Sequence, residues 1–386
     1  MLRKSHRTDN RPPFDCIALL LQGGGALGAY QGGVYEALAE AGLEPDWVAG
    51  ISIGAINSAL IAGNAANVRV QRLREFWQSV SSDAGSDLYH SLLPHLMKSD
   101  IGRTLTNRLS AAFVAWGGVA GFFAPRLPGP WLQPSGSAHA TSYYRCDGLR
   151  LTLQRMVDFD RINRAEMRFS VGAVNVRTGN FVYFDTATHH IGPEHIMASS
   201  ALPPAFAPVE IEGEHYWDGG IVSNTPLQWV LEYGERQDTL AFQVDLWSAR
   251  GDLPANMTEV MTRHKEIQYS SRTRANSDRF KESQRLRHEL ANLLQGLPVE
   301  MRNSPEAQLL GHYADCKVYN LIQLIYRARQ CEDSSKDYDF SRRSMEEHWR
   351  AGYHDAVRTL RHPEVLERPR NRAGVMTFDL ARDGRE

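Results

Sequence analysis

The sequence predicts an α/β fold with a mainly parallel central sheet and a mainly helical C-terminal extension. Three observations carry this. Apolar strand-like runs alternate with amphipathic segments over residues 16–80 and again over 141–246, which implies parallel pairing through right-handed crossovers. Glycine-rich turns sit between two of those runs and the helix-like segments that follow them. Beyond residue 246 the chain becomes charged and reads mostly as helix. At 386 residues and 42% apolar content, the chain can build one large domain plus an extension.

The elements follow in order. Residues 1–15 are polar and basic and read as a flexible arm, without the apolar stretch of a secretory signal. Cys16 to Leu21 is an apolar strand; Gln22 to Gly28 is a turn that opens an amphipathic helix from Ala29 to Ala41, stopped by Gly42. Trp47-Val48-Ala49 is a second short strand, followed after Gly50–Gly54 by a helix-like segment from Ala55 to Ala65. Val68 to Val80 is a further helix with Leu73, Phe76 and Trp77 on one face. Residues 85–140 break the alternation as an insertion. Strands resume near Phe169–Val176, Phe181–Phe184 and Leu240–Leu246.

Within the extension, Arg263 to Arg287 mixes Arg263, Lys265, Arg272, Arg274, Arg279, Lys281, Arg285 and Arg287 with Glu266, Asp278 and Glu282. A solvated, salt-bridged helix is the default for such a run, and attraction to anionic lipid is the sharper alternative. Lys317 to Tyr326 reads as a strand that could add an edge to the main sheet, and Ser341 as the N-cap of a helix from Arg342 to Leu360. The expected division is therefore an arm (1–15), a main domain (16–246, with the insertion at 85–140) and an extension (247–386).

Composition narrows the function. A net charge of −2 argues against a nucleic-acid protein. Cys16, Cys146, Cys316 and Cys331 lack metal-ligand spacing and suggest a reducing compartment, so no metal is expected and a cytoplasmic location is. No run of 18 uncharged apolar residues occurs.

Gly50-Ile51-Ser52-Ile53-Gly54 is a G-x-S-x-G pentapeptide between a strand and a helix. On such a turn a serine hydroxyl is pushed out at the carboxyl edge of the sheet, the glycines at 50 and 54 relieve crowding, and the following helix directs N–H groups toward it. Ser52 is thus a candidate nucleophile; the blander reading is a connecting turn. Gln22-Gly23-Gly24-Gly25-Ala26-Leu27-Gly28 admits three readings. Gly23, Gly25 and Gly28 match a dinucleotide fingerprint, with Glu44 and Asp46 near the expected acidic position. Alternatively, the N–H groups of Gly24 and Gly25 form an oxyanion hole. A tight turn with close helix–strand packing is the third. Asp218-Gly219-Gly220 reads either as a hairpin turn or as a base for the serine. His189, His190 and His195 lie in a polar loop and His215 in a strand-like run, none of them in an obvious catalytic setting.

Taken in order, Gly-Gly-Gly-x-x-Gly, Gly-x-Ser-x-Gly and Asp-Gly-Gly resemble the patatin-like phospholipase family over roughly Cys16 to Leu246. Ala198-Ser199-Ser200-Ala201-Leu202-Pro203-Pro204 resembles the family's small-residue and proline segment before the aspartate, and Leu27 stands where the family often carries Arg or Lys. The extension is similar to one carried by a bacterial branch of the family. The resemblance implies a three-layer patatin-like fold and a Ser–Asp dyad without histidine: Ser52 as nucleophile, Asp218 as base, and an oxyanion loop at Gly23, Gly24, Gly25 and Gly28. A carboxylate near its ordinary pKa of about 4 is a weak base, and a dry, partly apolar site would raise it toward neutrality.

The expected function is a serine acyl-ester hydrolase acting on phospholipid or another acyl-ester lipid, without cofactor, with peripheral contact at the inner membrane face as an option. An acyltransferase and a non-catalytic lipid-binding module are the alternatives, and no protein partner is implied. The insertion is the candidate gate: Phe113, Trp116, Phe122, Phe123 and Trp131 suit acyl chains or a bilayer surface, or else they pack over the sheet.

Overall fold

A computed structural model describes residues 5–8, 10–81, 116–233, 236–327 and 335–380. Much of the expected gate, Phe113 included, and Cys331 lie outside the described residues. The first part of the chain forms β1 (Cys16–Leu21), α1 (Ala29–Glu40), β2 (Trp47–Gly50), α2 (Ile53–Ala62) and α3 (Arg69–Val80). A two-stranded antiparallel ribbon follows, β3 (Ala124–Pro125) with β4 (Tyr144–Arg145). Next come β5 (Arg168–Asn175), β6 (Phe181–Asp185), α4 (Pro193–Ser199), β7 (Val209–Ile211), β8 (Glu214–Asp218) and β9 (Thr239–Asp245). The extension supplies α5 (Met257–Gly296), β10 (Tyr319–Ile325), α6 (Arg342–Leu360) and β11 (Val375–Phe378), with short helices between the larger elements.

One sheet runs β11-β10-β9-β1-β2-β5-β8-β7, with β6 also on β5. From β11 to β5 every pairing is parallel. The β5–β6, β5–β8 and β7–β8 pairings are antiparallel. The strand expected at the sheet edge is therefore internal: β10 is covered by β11, and the extension adds two strands to the main sheet.

Layering follows from strand alternation. Ile17, Leu19 and Leu21 point into the large core shared with α1, α2, α3 and α6. Cys16, Ala18 and Leu20 point the other way, toward Phe280 of α5 and Leu227, Val230 and Leu231. Leu73, Phe76 and Trp77 of α3 are fully buried, as their spacing implies. Helices α1 and α6 meet backbone to backbone: a Cβ on Gly33 would lie 1.9 Å from the Trp349 carbonyl oxygen, and one on Gly352 would lie 2.0 Å from that of Tyr30.

Part of the expected arm is not free. Thr8 donates through Oγ1 to the Ala41 carbonyl at 2.8 Å, and Phe14 is buried. An apolar ring and a satisfied hydroxyl outweigh the entropy of a short tether. In α5, Arg263 pairs with Glu266 at 3.2 Å and Lys281 with Asp278 at 3.6 Å, the pattern of a salt-bridged helix. Among the described residues, no helix is long and apolar enough to cross a membrane.

Candidate active site

The site lies at the carboxyl edge of the parallel strands, where the loops after β1 and β2 emerge side by side, as is usual for ligand sites in open α/β sheets. After β2 the chain turns so sharply that α2 begins at Ile53, two residues earlier than the sequence suggests. Ser52 sits at the apex with φ 57° and ψ −125°, a region that costs a side-chain-bearing residue about 1–3 kcal/mol. Both flanking glycines are sterically required. A Cβ on Gly50 would lie 2.2 Å from the Gly54 carbonyl oxygen, and one on Gly54 would lie 2.2 Å from that of Leu21.

Strand β8 brings the carboxylate. It runs antiparallel to β5 and stops where Asp218 pairs with Ala173. Gly50, the last residue of β2, pairs with Val171, and Asp218 pairs with Ala173 two residues further along β5, so the turn that carries Ser52 and the end of β8 that carries Asp218 lie at the same edge of the sheet. The Asp-Gly-Gly segment is thus a strand end followed by a turn of 3-10 helix rather than a hairpin. Asp218 Oδ1 accepts the Gly220 N–H at 2.7 Å. Among the described residues, buried Oδ2 meets no hydrogen-bond donor at full bonding geometry, although the Ser52 hydroxyl approaches the carboxyl closely enough to lower its pKa. Burial dominates, and the carboxyl is pushed up to about 7 despite the opposing pull of Ser52 and Gly220.

The small-residue segment that ends α4 holds both groups. Ser52 N–H donates to the Ser199 carbonyl at 3.1 Å, Ser200 Oγ donates to the Ser52 carbonyl at 3.1 Å, and Asp218 N–H donates to the Ala201 carbonyl at 3.0 Å. Only small side chains allow three backbone strands this close.

The structure divides the glycines of the first turn. Gly23 N–H is already donated to the Asn224 carbonyl at 3.3 Å. Gly28 packs against Ile53 and Trp77, where a Cβ would lie 2.5 Å from Ile53 Cγ1. Gly23 and Gly28, which the resemblance places in the oxyanion loop, thus shape the turn, and Gly24 and Gly25 remain the candidate donors. Among the described residues, the N–H groups of Gly24 and Gly25 meet no acceptor. Their orientation is set by the carbonyls of the same peptides. Gly23 O accepts from Asn224 Nδ2 and Trp247 Nε1, each at 3.0 Å, and Gly24 O accepts the Leu27 N–H at 3.2 Å. In a trans peptide the N–H points opposite the carbonyl, so fixing one aims the other. Gln22, fully buried beneath the loop, accepts the N–H groups of Leu246 and Trp247 at 2.6 and 3.0 Å.

The dinucleotide reading fails on geometry. Asp46 accepts the Ile17 N–H at 2.7 Å at the amino end of β1, the wrong edge of the sheet, and Glu44 is engaged by Arg69 and Tyr35.

A pocket of about 860 Å³, with the solvent at its open mouth included, joins Ser52, Asp218, Gly24 and Gly25. Phe122, Phe123, Tyr144, Phe206, Trp247, Tyr269, Tyr338 and Phe340 line it, and among the described residues no Lys, Arg or His does. His195 instead closes the first turn of α4, where its Nδ1 accepts the Gly192 N–H at 2.9 Å, and burial lowers its pKa. Leu27, in the position of the family's cation, is fully buried. The sequence reading missed Asn224, Trp247 and Asp337. Asn224 lies only six residues past Asp218, but nothing in the chain marks Trp247 or Asp337 as neighbours of the glycine loop.

Phe122 and Phe123 are core residues that also line the pocket. They are 8% and 7% exposed and pack edge-to-face on each other at 5.3 Å, with Phe340 at 5.9 Å from Phe122. Of the two readings given for the segment, packing over the sheet is the one these two rings follow, because rings with that many apolar neighbours gain more from burial than from an interface.

The chain is also similar to known proteins. The model of the patatin-like phospholipase family matches residues 19–230, and a second model, described as patatin phospholipase, matches residues 267–372. Over 60 residues the chain is 48% identical to lysophospholipase nte1 of Aspergillus terreus, a stretch that makes up 16% of this chain and 4% of that protein. VipD from Legionella pneumophila aligns over 93% of this chain and 70% of its own, at 15% identity and a TM-score of 0.36. With a single family model spanning more than half of its length, the chain belongs to the patatin-like phospholipase family.

Proposed function

We propose that this protein is a serine acyl-ester hydrolase of lipids that works with a Ser52–Asp218 dyad. The observation that carries the reading is the buried Asp218 carboxyl, pushed up to about 7 and facing the hydroxyl of a serine on a strained turn. Ser52 Oγ attacks the ester carbonyl carbon while Asp218 takes its proton. The carbonyl oxygen becomes an oxyanion that accepts the Gly24 and Gly25 N–H groups, donors worth about 3–4 kcal/mol each in comparable sites. Collapse expels the alcohol oxygen, which takes the proton from Asp218, and leaves the acyl group on Ser52. Water then attacks the acyl carbonyl, passes its proton to Asp218, and frees the carboxylic acid as Ser52 is reprotonated.

The pocket suits an acyl chain. Its walls are aromatic and apolar, and no cationic side chain among the described residues is there to meet a phosphate. A panel of phospholipids, lysophospholipids and neutral acyl esters, assayed for released fatty acid, tests the function. Release from none of them by a folded protein would overturn it. An added alcohol acceptor separates hydrolysis from acyl transfer: transfer yields a new ester, hydrolysis only the acid.

Membrane contact belongs to other residues than Phe122 and Phe123. The loop between Phe123 and Tyr144, both in the pocket wall, exposes Leu127, Trp131 and Leu132 at 88%, 86% and 79%. We propose that this loop inserts at a lipid surface. Replacing Trp131 and Leu132 with serine is expected to lower activity on lipid vesicles about tenfold or more, since two large apolar side chains lose their interfacial burial. Activity on a soluble short-chain ester should be unchanged. Equal losses on both substrates would reject the assignment.

A further inference from the structure

The glycine loop is held from outside the three motifs. Gly25, at φ +55°, has no side chain to restrain it, so the direction of its N–H depends on neighbouring contacts. One neighbour is Asp337, 312 residues away in sequence. Its carbonyl accepts the Ala26 N–H at 2.9 Å and is pressed so close that a Cβ on Gly25 would lie 2.2 Å from it. The peptide after Gly25 is thereby clamped, while the Leu27 N–H clamps the one before it at 3.2 Å.

Asp337 is itself anchored. Lys265 of α5 donates to its Oδ1 and Oδ2 at 3.0 and 3.1 Å. The next residues repeat the contact with the signs exchanged: Lys336 donates to Glu266 Oε1 at 2.8 Å, with both side chains largely buried. Two adjacent pairs, Lys265-Glu266 against Lys336-Asp337, thus fasten a short segment to α5 in one register. Charge-assisted bonds of this kind, partly withdrawn from water, hold geometry better than exposed pairs do. The Lys265 ammonium also lies 5.0 Å from the centre of the Tyr338 ring, in the pocket wall.

We propose that Lys265 and Asp337 are positioning residues for ester hydrolysis. The ion pair sets the Asp337 carbonyl, the carbonyl fixes the peptides around Gly25, and the Gly25 N–H is thereby aimed at the developing oxyanion. The catalytic consequence rests on the hydrolase reading above; the clamp itself does not. It also gives the extension a task, since a loop built by the first strand is set by residues of α5 and of the segment before α6.

The test is Lys265→Met in the full chain, with Lys265→Arg as the conservative control. Hydrogen exchange read by mass spectrometry should speed up in the peptide covering residues 22–28, by about tenfold, while peptides from β1 and β2 keep wild-type rates. On a soluble ester, kcat should fall about tenfold with KM changed less than about twofold, because the lost contact acts on the transition state. A short-chain trifluoromethyl ketone, which adds to a serine to give an oxyanion, should bind more weakly by the same factor. Lys265→Arg should restore most of each property. If Lys265→Met fails to fold, Asp337→Asn keeps the carbonyl and the side-chain size while removing the charge, and the same shifts are expected at smaller size. Wild-type exchange over residues 22–28 in a folded variant would overturn the proposal, whatever its activity. So would a fall in kcat explained by fewer active molecules, with the ketone binding each of them as tightly as wild type. A wild-type protein that neither hydrolyses esters nor binds the ketone would instead overturn the hydrolase reading, a result distinct from unchanged exchange.

Discussion

Ser52→Ala is expected to reduce ester hydrolysis by about 10⁴-fold or more while the protein folds normally. Removing the hydroxyl removes the acyl-enzyme route altogether, and water held by the same donors is a poor substitute. The fold should tolerate the change because Ser52 is held through its backbone: its N–H donates to Ser199 O and its carbonyl accepts from Ser200 Oγ. Alanine keeps both bonds and the same awkward φ of 57°. Glycine at this position should be equally inactive yet more stable by about 1 kcal/mol, because that backbone conformation carries no Cβ penalty for it. Thermal melts and fatty-acid release on the three proteins check both statements. Unchanged turnover by folded Ser52→Ala would reject the nucleophile.

The second large effect joins a loss of activity to a gain in stability. With the Asp218 carboxyl pushed up to about 7, kcat/KM should rise with pH and level off above that value, since only the ionised carboxylate can take the serine proton. Asp218→Asn keeps the shape, and its side-chain oxygen can still accept the Gly220 N–H, but it cannot act as a base. Turnover should fall by about 10²–10⁴-fold and the pH dependence should vanish.

Stability should move the other way. The folded-state pKa of about 7 lies above the unfolded value of 3.8, so between these values the folded protein keeps a proton that the unfolded chain has lost. Stability from this group is therefore fully present below about pH 4 and declines as pH rises toward 7. Above pH 7 a buried charge persists, and the difference of about three units corresponds to a penalty of up to about 4 kcal/mol. Asp218→Asn removes that penalty. The variant should melt several degrees higher than wild type at pH 8 and match it near pH 4. A variant that is inactive and also less stable at pH 8 would mark Asp218 as a structural residue instead. Retained turnover in Asp218→Asn together with loss in His195→Ala or His215→Ala would exclude it as the base.

Local chemistry by itself determined much of this protein. The strand at Cys16–Leu21, the helix at Arg342–Leu360 and its Ser341 cap were readable, because periodicity and capping act over a few residues. So was the sharp turn at Gly50–Gly54 with Ser52 at its apex, because close backbone approach there admits little but glycine, whereas the choice of Asp218 as its partner came only from the resemblance to the patatin-like family. Tertiary structure decided what depends on distant partners. It separated Gly24 and Gly25 from Gly23, whose N–H the Asn224 carbonyl takes, and from Gly28, packed against Ile53 and Trp77, because those contacts come from other parts of the chain. It turned Asp218-Gly219 from a possible hairpin into a strand end, because the antiparallel register of β8 on β5 is a long-range choice. It moved Phe122 and Phe123 into the core and left Trp131 and Leu132 outside, a distinction that composition alone cannot make. And it brought Asp337 onto the glycine loop, 312 residues from Gly25, because strands and helices joined late in the chain close over an edge that the first strand opens.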